Sequence, residues 1–156
     1  MPPSSLQRIV TGGQTGVDRA ALDAALYANI PCGGWCPRGR LAEDAPIDSL
    51  YPLDETPSSD YAQRTLWNVR DSDATLVITE GPPVGGTALT LAYTRQLRKP
   101  DLLIDLNLEA SPARARAWLA QQGVVTLNVA GPRESSVPGV YTKARWFLDK
   151  LLGLEQ

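Results

Sequence analysis

Short apolar runs rich in β-branched residues alternate along this chain with longer stretches of helical spacing. That alternation leaves one main architecture open, an α/β fold in which helices cover both faces of a mainly parallel sheet of about five strands. Buried strands are predicted at residues 6–11, 75–79, 102–106 and 124–130, with a weaker one at 30–35. Helices are predicted at 17–28, 60–70, 86–97, 111–122 and 141–152. In the first, Val17, Ala21, Ala24 and Ala28 recur at helical spacing, and Thr15-Gly16-Val17-Asp18 has the form of a capping box. Ser111 as N-cap and Pro112 at the first helical position open the fourth, and Gly123 closes it. At 156 residues with 43% apolar content, the chain can bury one core and is too short for two ordinary domains, so 1–156 is read as one domain.

Several chemistries are excluded by what is missing. The sequence contains no histidine, which rules out a Ser-His-Asp triad, a Cys-His dyad, an HExxH zinc site and an imidazole general base. Two cysteines, Cys32 and Cys36, do not make a disulfide framework, and no signal-like segment precedes the first strand, so a cytoplasmic protein is expected. No apolar stretch approaches the roughly 20 residues that span a bilayer, so no membrane role is expected. The formal charge of −2 gives no general attraction for nucleic acid, and any anion site must be local.

Local anion chemistry is written in the glycines. Gly12-Gly13-Gln14-Thr15-Gly16 follows the first strand, and a second glycine-bearing turn runs from Gly81 to Gly85-Gly86-Thr87 after the 75–79 strand. Gly131-Pro132-Arg133-Glu134-Ser135-Ser136 follows the last strand. The C-terminal ends of parallel strands share one edge, and ligands bind there where strand order reverses. A flavodoxin-like order, 2-1-3-4-5, would place the first two turns side by side. Glycine lets backbone approach a phosphate, and a helix N-terminus supplies free N–H donors and a favourable dipole. Thr15 and Thr87 add hydroxyls, and Arg133 adds a guanidinium fork. The first turn lacks the Lys-Ser or Lys-Thr of a Walker A loop. The dinucleotide fingerprint is also incomplete, with Thr11 in place of its first glycine.

The stretch 36–59 is long, rich in proline and aspartate, and without clear period. Its anchors Leu41, Ile47, Leu50, Tyr51 and Leu53 predict a loop folded over the domain rather than a linker. Arg38 and Arg40 at its opening could close over an anion or serve as solvated surface charges. With two thiols and no histidine, Cys32 and Cys36 cannot complete a tetrahedral zinc site from Cys and His alone, and no metal site is assigned. Cys32 reads as a small buried residue, and Cys36, at the strand's C-terminal end, as the ligand-facing one. Trp67 reads as core, whereas Asn68 inside a helix calls for a hydrogen-bond partner. Trp118, Trp146 and Phe147 read as core or subunit interface.

The long run from Thr11 to Asp23, then Gly33-Gly34-Trp35-Cys36-Pro37-Arg38-Gly39-Arg40 and Ala42-Glu43-Asp44, resembles the molybdenum carrier family of the SLOG superfamily. The resemblance continues through Tyr51-Pro52-Leu53, Glu55-Thr56-Pro57-Ser58, Gln63-Arg64-Thr65 and Trp67 to Asp73. It extends to Gly85-Gly86-Thr87 and to Asn128 through Ser135. It covers nearly the whole chain, and the first motif is highly specific.

The resemblance implies a Rossmann-like three-layer sandwich that forms homo-oligomers, a dimer or tetramer. It further implies a non-catalytic carrier that binds, protects and passes on the molybdenum cofactor, a molybdopterin phosphate, with a molybdoenzyme as acceptor. The residues expected to hold that ligand are Gly12, Gly13, Gln14, Thr15, Gly16, Trp35, Cys36, Arg38, Gly81, Gly85, Gly86, Thr87, Gly131, Arg133, Glu134 and Ser135. The alternative is a nucleotide-binding or nucleotide-processing member of the same superfamily. Its phosphoribohydrolases carry Pro-Gly-Gly-x-Gly-Thr-x-x-Glu, and here Thr90 stands where that catalytic glutamate would be. Glu80, Asp18 or Glu134 would have to serve as acid or base instead.

Overall fold

The computed structural model describes residues 1–154; Glu155 and Gln156, the last two of the span read as one domain, lie outside the described residues. In chain order the elements are β1 (Arg8–Val10), α1 (Val17–Tyr27), β2 (Cys32–Gly33), β3 (Trp35–Cys36), β4 (Asp54–Glu55) and α2 (Tyr61–Arg70). There follow β5 (Ala74–Thr79), α3 (Gly85–Gln96), β6 (Asp101–Asp105), α4 (Pro112–Gln122), β7 (Thr126–Ala130) and α5 (Val140–Leu151). Every predicted helix is present with ends within a residue or two, as is usual for helix boundaries. The α4 signals act as expected: Ser111 Oγ accepts from the Arg114 N–H at 3.1 Å, and Gly123 closes the helix in the left-handed region at φ 59°.

Five strands form one sheet in the order β2-β1-β7-β5-β6, every neighbouring pair parallel. β5 is buried along its whole length, as a central strand covered on both faces must be. α1 packs on α5 and α5 on α4, while α2 packs on α3, giving the three layers. The order is not flavodoxin-like. Counted from β7, the same five strands read 3-2-1-4-5, the Rossmann arrangement with its first strand supplied by the end of the chain. The last strand therefore lies between β1 and β5, and its glycine turn stands between the first and the second, which are not neighbours. Between β7 and β5 the following helices leave to opposite layers, which opens a crevice at the carboxyl ends of these two strands.

Three local readings are corrected. The weak strand 30–35 is split by Gly34, at φ 121°, into β2 on the main sheet and β3, which pairs with β4 in a two-stranded ladder. A Cβ at Gly34 would strike the Thr11 backbone. β4 lies inside the segment read as a loop. It is two exposed acidic residues, which no propensity argument would select as strand. The capping box is also absent: α1 begins after Gly16, no side chain caps it, and the Asp18 carboxylate reaches back to the Gln14 N–H instead.

The main core lies on one face of the sheet, between the strands and α1, α4 and α5, with Phe147 among its fully buried residues. A second cluster of Leu22, Cys36, Ile47 and Leu53 lies under the 37–59 segment and fastens it to α1. Ile47 and Leu53 are thus the anchors, whereas Leu41 and Leu50 are exposed. Arg40 shapes the segment from within, donating to the carbonyls of Ile47, Asp48, Tyr51 and Leu53 at 2.8–3.1 Å. Its charge is committed to the loop's own backbone. Trp146 is 46% exposed, unlike its neighbour Phe147.

Candidate functional site

The crevice between the ends of β7 and β5 has a volume of about 180 Å³. Gly85, Gly86, Thr87 and Thr90 of α3 form one wall, Gly131, Pro132, Arg133 and Ser136 a second, and Tyr61, Arg64 and Thr65 of α2 a third, with Gln14 and Asp18 in the lining. No side chain caps α3. The N–H groups of its first turn have no intrahelical acceptors at i−4, so Gly85 and Gly86 present theirs to the opening. A Cβ at either glycine would meet nothing within 4 Å. Val84, beside them, is 73% exposed. This is the geometry of an anion site on a helix N-terminus.

The other two glycine turns are built differently. A Cβ on Gly16 would strike the Pro132 carbonyl, and one on Gly131 the Ile78 carbonyl and Val17. The two turns are pressed together there, with the Val17 N–H donating to Pro132 O at 3.2 Å. Gly13, at φ 79°, lies under Leu53 and Ile47, and Gly12 lies under the Arg64 guanidinium. Of the three turns read as one cradle, only the α3 turn leaves its glycines open.

Thr15 and Ser135 are joined by a residue the sequence reading did not select, and the Glu134 N–H donates to the Thr15 hydroxyl at 3.1 Å. Glu43 accepts from the hydroxyls of Thr15 and Ser135 and from the Ser135 N–H at 3.1 Å. Its own N–H donates to Gln14 Oε1 at 2.9 Å, and Arg133 Nη1 lies 4.0 Å from its carboxylate. The Ser135 and Thr15 hydroxyls hold the Glu43 carboxyl below its ordinary range. Glu134 is spent on the N–H groups of Gly139 and Tyr141, so it fixes the entry to α5. On this side of the 131–136 turn lies a second, wider cavity of about 750 Å³, lined by Thr15, Arg19, Asp23, Glu43, Asp44, Tyr51 and Tyr141 among others. Asp23 accepts both tyrosine hydroxyls there.

Trp35, Cys36, Arg38 and Gly81 do not converge on the crevice. Cys36 is fully buried in the second core cluster, where burial pushes its thiol up, and Cys32 is the half-buried cysteine, the reverse of the sequence reading. Trp35 stands edge-on to Trp67 with centroids 4.8 Å apart, and its indole N–H donates to Asp71 at 2.8 Å. Asn68 has the expected partner: its side chain brackets Trp35, accepting from the N–H at 2.8 Å and donating to the carbonyl at 2.9 Å. Arg38 is exposed, and Gly81 turns its N–H to Asp105 at 2.9 Å. Among the described residues no group of three or more Cys, Asp or Glu is placed to hold a metal ion.

Arg64 is the site residue that sequence reasoning missed, and its partner is Asp18, read there as a helix cap and as an acid or base of the alternative. Arg64 Nη1 lies 3.1 Å from Asp18 Oδ2, with the two side chains 14% and 5% exposed, and Arg64 Nε is buried without a partner. Burial pushes the Asp18 carboxyl up, against the pull of Arg64 and of the Gln14 N–H. The available signal was a charged residue at the centre of an otherwise packed helix, Gln63-Arg64-Thr65, with an acidic residue just after a glycine turn.

Residues 9–152 match the circularly permutated YpsA SLOG family. A crystal structure described as a putative molybdenum carrier protein from Syntrophus aciditrophicus SB is 43% identical in sequence. The match covers 95% of this chain and 96% of that one, with a TM-score of 0.92. No curated protein matches the sequence. The permutation in the family's description is the one seen in the sheet, where the last strand takes the first position of a Rossmann order.

Proposed function

Because the chain belongs to the circularly permutated YpsA SLOG family, we propose that it is a non-catalytic carrier of the molybdenum cofactor, with the cofactor's phosphate bound at the α3 N-terminus. The observation that carries this reading is the open pair Gly85-Gly86 facing a crevice that also holds a guanidinium with an unpartnered buried Nε. Two free helix N–H groups and an arginine are the donor set that a phosphate requires. A volume of about 180 Å³ suits the phosphate end alone, since whole small-molecule sites run to about 300 Å³ or more. The pterin crosses the 131–136 turn towards the cavity of about 750 Å³, where the 37–59 segment contributes Glu43, Asp44 and Tyr51. The printed name of the 43% identical relative, a molybdenum carrier, supports the choice of cargo.

Carriage needs no general base, and the carboxylate in the crevice lining, Asp18, is engaged by Arg64 and the Gln14 N–H. Thr90, where the related hydrolases have glutamate, bonds its hydroxyl to Gly86 O at 3.0 Å. Glu80 is paired with Lys143 at 2.8 Å, and Glu134 is committed to backbone. The proposal extends to the whole chain acting as one cytoplasmic unit, to assembly with further copies, and to delivery to a molybdoenzyme. No helix among the described residues is long and apolar enough to cross a membrane. A nucleotide derivative is the second reading, because the α3 turn would take its phosphate equally well.

The test is an anaerobic titration with the molybdenum cofactor beside AMP, ADP-ribose and molybdate, reading ligand retained after rapid gel filtration. Selective, saturable retention of the cofactor without turnover is expected. Retention of a nucleotide in its place would reassign the crevice to nucleotide chemistry.

A further inference from the structure

The crevice that receives an anion already contains one. Asp18 Oδ2 takes both the Gln14 N–H, at 3.2 Å, and Arg64 Nη1, at 3.1 Å, and its carboxylate lines the same space as Gly85 and Gly86. Arg64 hydrogen-bonds Asp18 through Nη1 and lies over the Tyr61 ring at 5.4 Å, with Nε buried and unpartnered. A phosphate or sulfate at the α3 N-terminus that engages this guanidinium must share it with Asp18. Two anions on one largely buried guanidinium repel strongly. The repulsion is relieved if one of them takes a proton, and the buried carboxyl is the group already pushed in that direction.

Resting on the reading of the crevice as a phosphate site, we propose that Asp18 is a proton-controlled competitor for Arg64. Anion binding then takes up a proton from solvent on Asp18, frees the guanidinium for the ligand, and strengthens as pH falls. Asp18 acts through Arg64 and is a positioning residue. Few other charges bear on it. Tyr61 of α2 and Arg133 of the turn after β7 share the crevice, and α3 brings its N-terminal dipole and no charged side chain to the lining. Arg19, on α1 itself, is turned to Asp44 at 3.3 Å. α5 directs Tyr141 to Asp23 and Lys143 to Glu80, which are not in the lining. For a carrier the consequence is release on a rise in pH or on restored contact between Asp18 and Arg64.

Isothermal titration with inorganic sulfate, whose charge is constant across the neutral range, tests this in paired buffers of different ionisation enthalpy, with AMP as a second probe. The unaltered protein is expected to take up as much as one proton per sulfate and to lose affinity by at least about tenfold as pH rises. Asp18→Asn, which keeps an oxygen for the Gln14 N–H, is expected to bind sulfate with an affinity independent of pH, and more tightly than the unaltered protein at alkaline pH. Sulfate or AMP binding with no proton uptake in the unaltered protein would overturn the proposal and leave the crevice reading standing. An equal pH slope in Asp18→Asn would do the same. No binding of either probe at any pH would overturn both.

Discussion

The first and last glycine turns and the α3 turn are written in the same residues and do opposite things. At Gly16 and Gly131 the missing Cβ lets one stretch of backbone lie against another, and the space a Cβ would take is filled by protein. At Gly85 and Gly86 it leaves a helix start bare, with nothing within 4 Å. Glycine in a βα turn is thus two devices, a packing joint and an open helix start, the seat proposed for an anion, and composition does not separate them. What separates them is what lies opposite, and that depends on strand order.

The comparison can be broken most sharply at the joint. Gly131→Ala and Gly16→Ala are expected to cost about 3 kcal/mol or more, since each Cβ meets a carbonyl that cannot move away, and Gly16 adds a φ of 78°. Urea midpoints would show it, and near-native midpoints would mean that the two turns are not packed as described. At the seat, Gly86→Asp is expected to leave the melting temperature almost unchanged and to weaken phosphate-bearing ligands about 100-fold, through loss of helix N–H contacts and added charge repulsion. Equal loss of fold and binding would collapse the distinction.

Gly12→Ala is an intermediate case, because its Cβ would displace only the mobile end of Arg64. We expect a loss of about 1–2 kcal/mol with a weakened anion site, as the Asp18 pair is broken. The roof over the first turn gives a smaller effect. Tyr51 and Tyr141 both donate to Asp23, and burial together with that bond raises both phenols above their ordinary value of 10.0. A raised folded value stabilises fully below the ordinary one and is lost as pH rises through the folded one. Tyr51→Phe should therefore cost about 1 kcal/mol at neutral pH, and the gap to the parent should close only in strong alkali. Smallest of all, Gly86→Ala should stabilise α3 by about 0.5 kcal/mol, by stiffening the unfolded chain at a site with room for a methyl.

The helices and the long strands were legible because each rests on a local signal: the period of Val17 to Ala28, the Ser111-Pro112 start, the β-branched run of β5. Strand order was not, since nothing local in residues 126–130 says that they enter the middle of the sheet. The site failed for the same reason. Arg64 comes to Asp18 across 46 residues of sequence, and Glu43 to Ser135 across 92. Cys36 was misplaced because the roof that buries it, Ile47 and Leu53, belongs to a segment with no period to read. The glycine motifs located the edge of the sheet correctly, but only the packing distinguished the open turn from the closed ones.

The place of β7 also sets a timetable. β1 pairs with β2, and β5 with β6, but only β7 joins the two pairs. During synthesis each pair keeps a bare inner edge until β7, made after both, slides between them. Unpaired edges of this kind invite pairing with other chains. The crevice shares that schedule, because one of its walls follows β7. A nascent chain therefore has neither a closed sheet nor a complete crevice until β7 is in place, and one step completes both.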